Sequence, residues 1–371
     1  MTRVALVHDW LTGMRGGEKA LEALADVYPE ADIFTLVYQP AQISPGINRH
    51  AVRTSFLNHL PGIERWYRHF LPVFPMAVEL FDLDGYDLVV STSHCAAKAV
   101  IAPGRARHVC YCFTPMRYAW DQFDHYFGPE RLGTAGSALA RPVLAWLARW
   151  DASTAHRVSR YVAISHYVAG RIGRYYNRRS DVVYPPVDTE FYTSDGRAPE
   201  DYALVVSALV PYKRLELAID GARLAGMPLR IVGQGPDRER LEARARGAEV
   251  EFLGFQPDDV VRDLYRGAAA VMLPGEEDFG IVPVEAQACG RPVVALGRGG
   301  VNETVLDRVT GVLVREDRPE AFADALRAVK ALPFDPAIAR AHAETFGRQR
   351  FASEIAALID QTSQAPPGAR W

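Results

Sequence analysis

Short apolar runs alternate with stretches of helical period along almost the whole chain. The first run, Arg3–His8, is followed by a loop and a helical stretch from about Gly17 to Val27, and Ile33–Val37 reads as the next strand. Asp87–Ser91, His108–Cys112 and Arg160–Ile164 continue the series. A second series opens at Tyr202 with ALVVSAL and runs through Leu229–Val232, Val250–Leu253, Ala269–Leu273 and Pro292–Leu296. Brief, continuous apolar runs are what strands covered on both faces require. Two such series therefore predict an α/β chain with two Rossmann-like, doubly wound sheets facing a cleft. The boundary falls near Tyr184-Pro185-Pro186, because a double proline can continue neither regular element. A last helix, about Gly347–Gln361, sets Phe351, Ile355 and Leu358 on one face, and Pro366–Trp371 reads as a disordered tail. In Arg141–Trp150 the stripe Val143, Trp146, Leu147, Trp150 reads as core.

Composition narrows the class. At 371 residues and 49% hydrophobic content, two domains are expected. A net charge of −3 without a polybasic run argues against nucleic acid as partner. The four cysteines, Cys95, Cys110, Cys112 and Cys289, have neither zinc-type nor redox spacing and read as buried thiols of a reducing cytosol. MTRVALVHDW turns polar too early for a signal peptide, and no apolar run reaches the roughly 20 residues of a membrane span. The expected location is cytoplasmic, with peripheral contact on the inner face of the plasma membrane as an option for the Arg- and aromatic-rich segment Arg49–His69. A plain solvated helix is the competing reading of that segment.

Candidate chemistry concentrates in Pro274–Ala295, PGEEDFGIVPVEAQACGRPVVA. A strand, an acidic loop, a glycine and a helix follow in that order, which puts a helix N-terminus at the carboxyl end of a strand, where open α/β sheets bind ligands. Backbone amides of Phe279, Gly280 and Ile281 can meet an anion, and Glu277 and Glu285 can accept hydrogen bonds from hydroxyls. A phosphate beside two hydroxyl acceptors suggests a sugar nucleotide. Gly16 and Gly17 follow the first strand without completing GxGxxG, so the dinucleotide fingerprint fails where it is due. Gly233-Gln234-Gly235-Pro236 is a second glycine turn, read equally well as an ordinary tight turn. Lys213 and Arg214 end the loop after Ala203–Ser207 and could neutralise a diphosphate; a solvated basic turn is the alternative. His94 follows another strand at its carboxyl end, where a structural histidine is the commoner case. Asp82-Leu83-Asp84 has the form of a metal-binding DxD but precedes its strand, at the wrong end of the sheet, so no metal is expected.

Taken together these motifs resemble glycosyltransferase family 4, the retaining transferases of GT-B fold. The resemblance covers nearly the whole chain, and its most specific element is Glu277-Asp278-Phe279-Gly280 followed by Glu285. HDWLTGMRGGEKALE, CYCFTPMRYAWD and VPYKRLELAI are most similar to bacterial mannosyltransferases of O-antigen and exopolysaccharide assembly. The resemblance implies that residues 1–184, joined by a returning C-terminal helix at 346–362, bind the acceptor, and that residues 185–345 bind the nucleotide sugar. It implies donor-sugar contacts for Glu277, ribose contacts for Glu285, diphosphate contacts for Lys213 with Arg214, and phosphate contacts for Gly16 and Gly17. Gly233, Gly235 and the amides of Phe279–Ile281 complete the donor set, and His94 would position the sugar. Arg117, Tyr118 and Trp120 are the acceptor candidates. The implied donor is GDP-mannose, the acceptor a glycan or undecaprenyl-diphosphate-linked saccharide, with no cofactor and no metal. A UDP-sugar donor, or a non-catalytic sugar-nucleotide-binding subunit, are the alternatives. One departure stands out: Ser207-Ala208 occupies the place where the family carries Gly-Arg, so an arginine that would share the diphosphate charge is missing.

Overall fold

The computed structural model describes residues 2–366, and all but the first residue of the expected disordered tail lies outside them. The chain divides into two compact units, 1–186 with 351–371, and 187–350. The division falls two residues beyond the expected boundary, directly after Pro185-Pro186.

In the first unit the strands are β1 (Val4–His8), β2 (Asp32–Thr35), β3 (Val52–Thr54), β4 (Leu88–Ser93), β5 (Arg107–Cys112), β6 (Arg160–Ala163) and β7 (Ser180–Val182). They form one parallel sheet in the order β3-β2-β1-β4-β5-β6-β7. Leu6 pairs with Ile33 on one side and with Val90 on the other, and all three are fully buried. The second unit holds β8 (Ala203–Val206), β9 (Leu229–Val232), β10 (Val250–Gly254), β11 (Ala270–Leu273), β12 (Val293–Leu296) and β13 (Gly311–Val314), again parallel, in the order β10-β9-β8-β11-β12-β13. The two doubly wound sheets of the sequence reading are therefore present. Strands β3, β7 and β13 were not expected.

Each strand order reverses once, at β1/β4 and at β8/β11. A doubly wound sheet opens a crevice at that point, because the connections on either side lead away to opposite faces. The loops after β1, β4, β8 and β11 flank these crevices, and they begin at Asp9, His94, Ser207 and Pro274.

The C-terminal helix, Arg348–Gln364, returns to the first unit, which claims it from Phe351 onward. Phe351, Ile355 and Ile359 are its buried positions, whereas Leu358 is only half-buried, so the core stripe is rotated from the expected one. The Phe351 ring lies edge-on to Tyr111 at 5.4 Å, and Arg160 donates to Gln361 Oε1 at 2.8 Å.

The four cysteines are all buried and unpaired as thiols. Inside the first sheet, Ser91 Oγ and His108 Nε2 hydrogen-bond at 2.8 Å, and burial pushes the His108 imidazole down to about 4. A histidine that resists protonation in the fold binds its proton more readily when unfolded. Its contribution is therefore present above an ordinary histidine value of 6.5 and is lost as pH falls from there towards 4. The loss amounts to about 3 kcal/mol at most. Chemical unfolding at pH 7 and pH 4.5 should show native protein losing more stability than a His108→Gln variant.

Candidate active site

The site of the second unit is built where β8 and β11 diverge. Lys213 ends the loop after β8, and Glu277 sits in the loop after β11; the ammonium Nζ donates to Glu277 Oε1. Both side chains are mostly buried, at 17% exposure each, so the pair is partly shielded from water. Three glycines make this approach possible. At Gly275 a Cβ would press on the Lys213 backbone, at Gly299 it would strike the Glu277 carbonyl, and at Gly300 the Asp278 carbonyl. Gly300 N–H donates to Glu277 O at 2.7 Å, locking the acidic loop onto the Gly297–Gly300 loop. Gly275, Gly299 and Gly300 went unread in the sequence, although GRGG, residues 297–300, carried the signal.

The helix Ile281–Ala288 begins at Gly280, whose φ of 94° and ψ of 74° belong to a left-handed conformation that glycine adopts without strain. Its opening amides have no partner within the helix and carry the positive end of its dipole. Phe279 is buried, with its ring 5.6 Å from that of Phe346, so the turn presents backbone rather than side chain. Glu285 lies further along the helix, largely buried, and Tyr265 Oη donates to its Oε2 at 2.9 Å. That bond fixes the carboxylate.

Gly233 and Gly235 form the turn after β9. At both, a Cβ would collide with carbonyl oxygens of the Ser207–Leu209 loop, and Leu209 N–H donates to Gln234 O at 2.9 Å. Their role is to let this turn brace the loop that carries Lys213. Arg214, left-handed at φ 55°, donates from Nε to Glu216 at 2.8 Å and from Nη1 to Asp317 at 3.4 Å. Its charge is thus already shared between two carboxylates, and Ala208 is exposed in the same loop.

In the first unit, the loops after β1 and β4 meet over Asp9, a residue the sequence reading did not select. Its fully buried carboxylate accepts from the amides of His94 (2.7 Å), Cys95 (3.0 Å), Ala96 (2.6 Å) and Ala97 (2.7 Å). His94 Nδ1 lies 3.1 Å from Asp9 Oδ2, and the Trp10 ring meets the imidazole edge-on at 4.5 Å. Burial alone would raise the Asp9 carboxyl, but His94 and its amide outweigh it and hold the group well below the usual carboxylate range. His94 is thereby fixed in direction, with its ring partly exposed.

Gly16 and Gly17 open the helix Gly16–Val27, which Glu18 caps from within its first turn. Arg15 N–H donates to Glu18 Oε2 at 3.1 Å. A Cβ on Gly17 would come within 3.3 Å of the Phe113 ring, so the helix start stays low beside His8 and Phe113. Glu18 Oε1 stands 3.9 Å from His8 Nε2, while His8 Nδ1 and Thr92 Oγ1 share a 2.7 Å hydrogen bond. Burial would raise the Glu18 carboxyl, yet the neighbouring His8 lowers it overall.

The acceptor candidates fare differently. Trp120 donates from Nε1 to buried Asp151 at 2.7 Å and stacks on Tyr175 at 4.6 Å. Asp151 in turn holds the buried ammonium of Lys98 at 3.0 Å. Trp120 is half-buried and tied through its indole to this cluster. The Tyr118 hydroxyl is pushed well above its ordinary value by burial and by Cys95, while Arg117 is half-buried on the short helix Arg117–Trp120. Asp82 and Asp84 lie before β4, away from its carboxyl end, and no cluster of metal-ligating side chains occurs among the described residues.

Comparison with known proteins bears on both units. Residues 14–191 match the family Glycosyltransferase Family 4, and residues 190–350 match Glycosyl transferases group 1. Among solved structures, Anabaena Alr3699/HepE in complex with UDP superposes with a TM-score of 0.72 over 97% of this chain and 100% of that one, at 18% identity. The chain has the GT-B fold, and each of its two units matches a glycosyltransferase family model. The lipopolysaccharide outer core galactosyltransferase WaaB shares the GT-B fold as well, with a TM-score of 0.66, 18% identity and coverage of 97% and 99%. A D-inositol 3-phosphate glycosyltransferase of Mycobacteroides abscessus is 35% identical over 40% of this chain and 38% of its own length. Its counterpart in Frankia alni is 27% identical over 82% of each. The chain spans less than half the length of the M. abscessus protein, and 46% of an archaeal glycosyltransferase from Methanocaldococcus jannaschii that is 28% identical over 43% of this chain.

Proposed function

We propose that this GT-B chain transfers a sugar with retention of anomeric configuration, taking mannose from GDP-mannose to a glycan acceptor carried on a lipid diphosphate. The observation that carries the reading is the convergence of Lys213 and Glu277 beside the glycine-opened helix Ile281–Ala288, at the point where the strand order of the second sheet reverses. A cation, a row of backbone amides and two carboxylates suit the parts of a nucleotide sugar: diphosphate to Lys213 and the Phe279–Ile281 amides, sugar hydroxyls to Glu277, ribose hydroxyls to Glu285.

In the proposed reaction the acceptor hydroxyl attacks the anomeric carbon on the face from which the nucleoside diphosphate departs. One carbon–oxygen bond forms as the other breaks, and the acceptor proton passes to the leaving phosphate oxygen. The negative charge that grows on the diphosphate is met by Lys213 and the helix-start amides, which are already oriented and so cost no reorganisation. This arrangement works without a metal ion. Glu277 is a sugar-binding group in this scheme. Its bond to Lys213 is exchanged on donor binding, ammonium to phosphate and carboxylate to hydroxyl. His94, held by Asp9, positions the sugar, and Arg117, Tyr118 and Trp120 stand as the acceptor candidates. The choice of mannose rests on the sequence motifs. A UDP-sugar is the second donor to test, because HepE was crystallised with UDP and with UDP-glucose.

Calorimetric titration with GDP and UDP tests the reading. Native protein should bind one nucleotide, and Lys213→Ala should weaken that binding at least about tenfold, the loss of one charge-assisted contact. Preference for UDP would replace the donor within the same reaction class. Binding of neither nucleotide would favour a non-catalytic chain, in which the arginine replaced by Ala208 was indispensable.

A further inference from the structure

The helical segment Pro129–Ser153, broken at Gly133, turns part of its apolar stripe outward. Leu144 and Leu147 are buried, but Leu139 is 75% exposed and Trp146 47% exposed. Leu139 and Trp146 are seven residues apart, two turns of helix, and therefore lie on one face. The sequence reading had placed Trp146 in the core; its spacing is helical, but it belongs to the neighbouring, outward stripe. Beside it runs the segment from Ile63 to Leu80, where Trp66, Met76 and Leu80 are 58%, 53% and 66% exposed. The stretch Pro72–Leu80 and the helix meet in one groove, lined by Pro72, Pro75, Met76, Leu80, Trp146 and Trp150 together with the carboxylate-bearing Glu79.

The charges around this apolar surface are mainly cationic, with Glu64 and Glu130 as the exposed carboxylates of the two segments. From Arg131 to Arg149 the chain carries three arginines and no carboxylate. Arg141 is engaged by Asp124, leaving Arg149 on the outward arc with Trp146. Arg65 and Arg68 are exposed on either side of Trp66, facing only Glu64 as an exposed carboxylate of that segment, and Glu79 is already held by Arg157 and Trp150. Exposed tryptophans, aliphatic tips and arginines with few opposing carboxylates match a membrane interface in both respects, apolar area for the acyl boundary and cations for the headgroups. No described helix is long and apolar enough to cross a membrane.

We propose that this face, formed by residues 63–80 and the outward side of the helix Pro129–Ser153, docks the first unit on an anionic phospholipid surface. Docking would hold the protein where a lipid-carried acceptor resides, but the inference stands on the exposed residues and does not depend on which sugar is transferred.

Co-sedimentation of the full chain with vesicles decides it. Mixed phosphatidylglycerol–phosphatidylcholine vesicles should retain the protein, and pure phosphatidylcholine vesicles should retain at least about tenfold less. A Leu139→Ser/Trp146→Ser variant should bind the anionic vesicles at least about tenfold more weakly. An Arg65→Gln/Arg68→Gln/Arg149→Gln variant should lose on the order of 100-fold. All five side chains are exposed, so unfolding temperatures should match the native one, and nucleotide titration should be unchanged. Equal retention by both vesicle types, retention by neither, or unaffected variants would overturn the proposal. So would self-association through this face in sedimentation velocity without vesicle binding.

Discussion

Replacing Lys213 with alanine is expected to lower sugar transfer by about 10²–10³-fold, the usual cost of removing one preorganised group that meets developing charge. Glu277→Ala should cost a comparable factor through lost sugar positioning. The two losses should not multiply. In the folded chain the ammonium donates to the carboxylate, so each single variant leaves its partner without a counter-charge in a mostly buried site. The double variant should therefore fall well short of the product of the single effects. Turnover of the four proteins in a double-mutant cycle measures this directly. Additive losses would mean that the pair acts as two independent groups, and near-native turnover in Lys213→Ala would remove the lysine from the reaction.

The second large effect concerns stability. Asp9→Ala should destabilise the first unit by about 3–5 kcal/mol, because it strands buried groups that were paired with a buried charge. In thermal unfolding this corresponds to a fall on the order of 10 °C. Four amides and the His94 ring lose their common acceptor at once. His94→Ala keeps the amide contacts and should shift the midpoint far less, while still impairing transfer. Acid dependence follows the same carboxylate. A group held low in the fold gives stability that is complete above its ordinary value of 3.8 and is lost as pH falls below it. Native protein should accordingly lose stability below that pH more steeply than Asp9→Asn. Equal unfolding midpoints for native and Asp9→Ala would show that the network contributes nothing.

Much of this architecture was legible because buried parallel strands write themselves as apolar runs, as at Leu229–Val232, and because the double proline breaks both periodicities. Strand β3, Val-Arg-Thr, and β7, Ser-Asp-Val, are three residues long with polar members, too short for any period to register. Strand β13 carries an apolar run, Gly311–Val314, that closes the sheet edge after a loop without a clear helical approach. At the site, Glu277, Lys213 and the glycine-opened helix stood out because carboxylate, cation and glycine fall at strand ends. Asp9 did not, since its partners are backbone amides 85 to 88 residues away and backbone leaves no trace in side-chain spacing. Gly233 and Gly235 were legible as a turn, but the neighbouring loop that their missing side chains admit was not. Trp120 stood out only as an acceptor candidate, and only the fold reveals the buried Asp151 to which its indole donates.

The Lys213–Glu277 site is proposed to activate a nucleotide sugar for transfer. Release of nucleoside diphosphate from GDP-mannose, with UDP-glucose and UDP-galactose run in parallel, tests it most directly. Release from GDP-mannose is expected, slow with water and faster with a lipid-linked saccharide, and it should be lost in Glu277→Ala with unchanged unfolding temperature. Undiminished release by Glu277→Ala, or no release from any of the three donors, would contradict it.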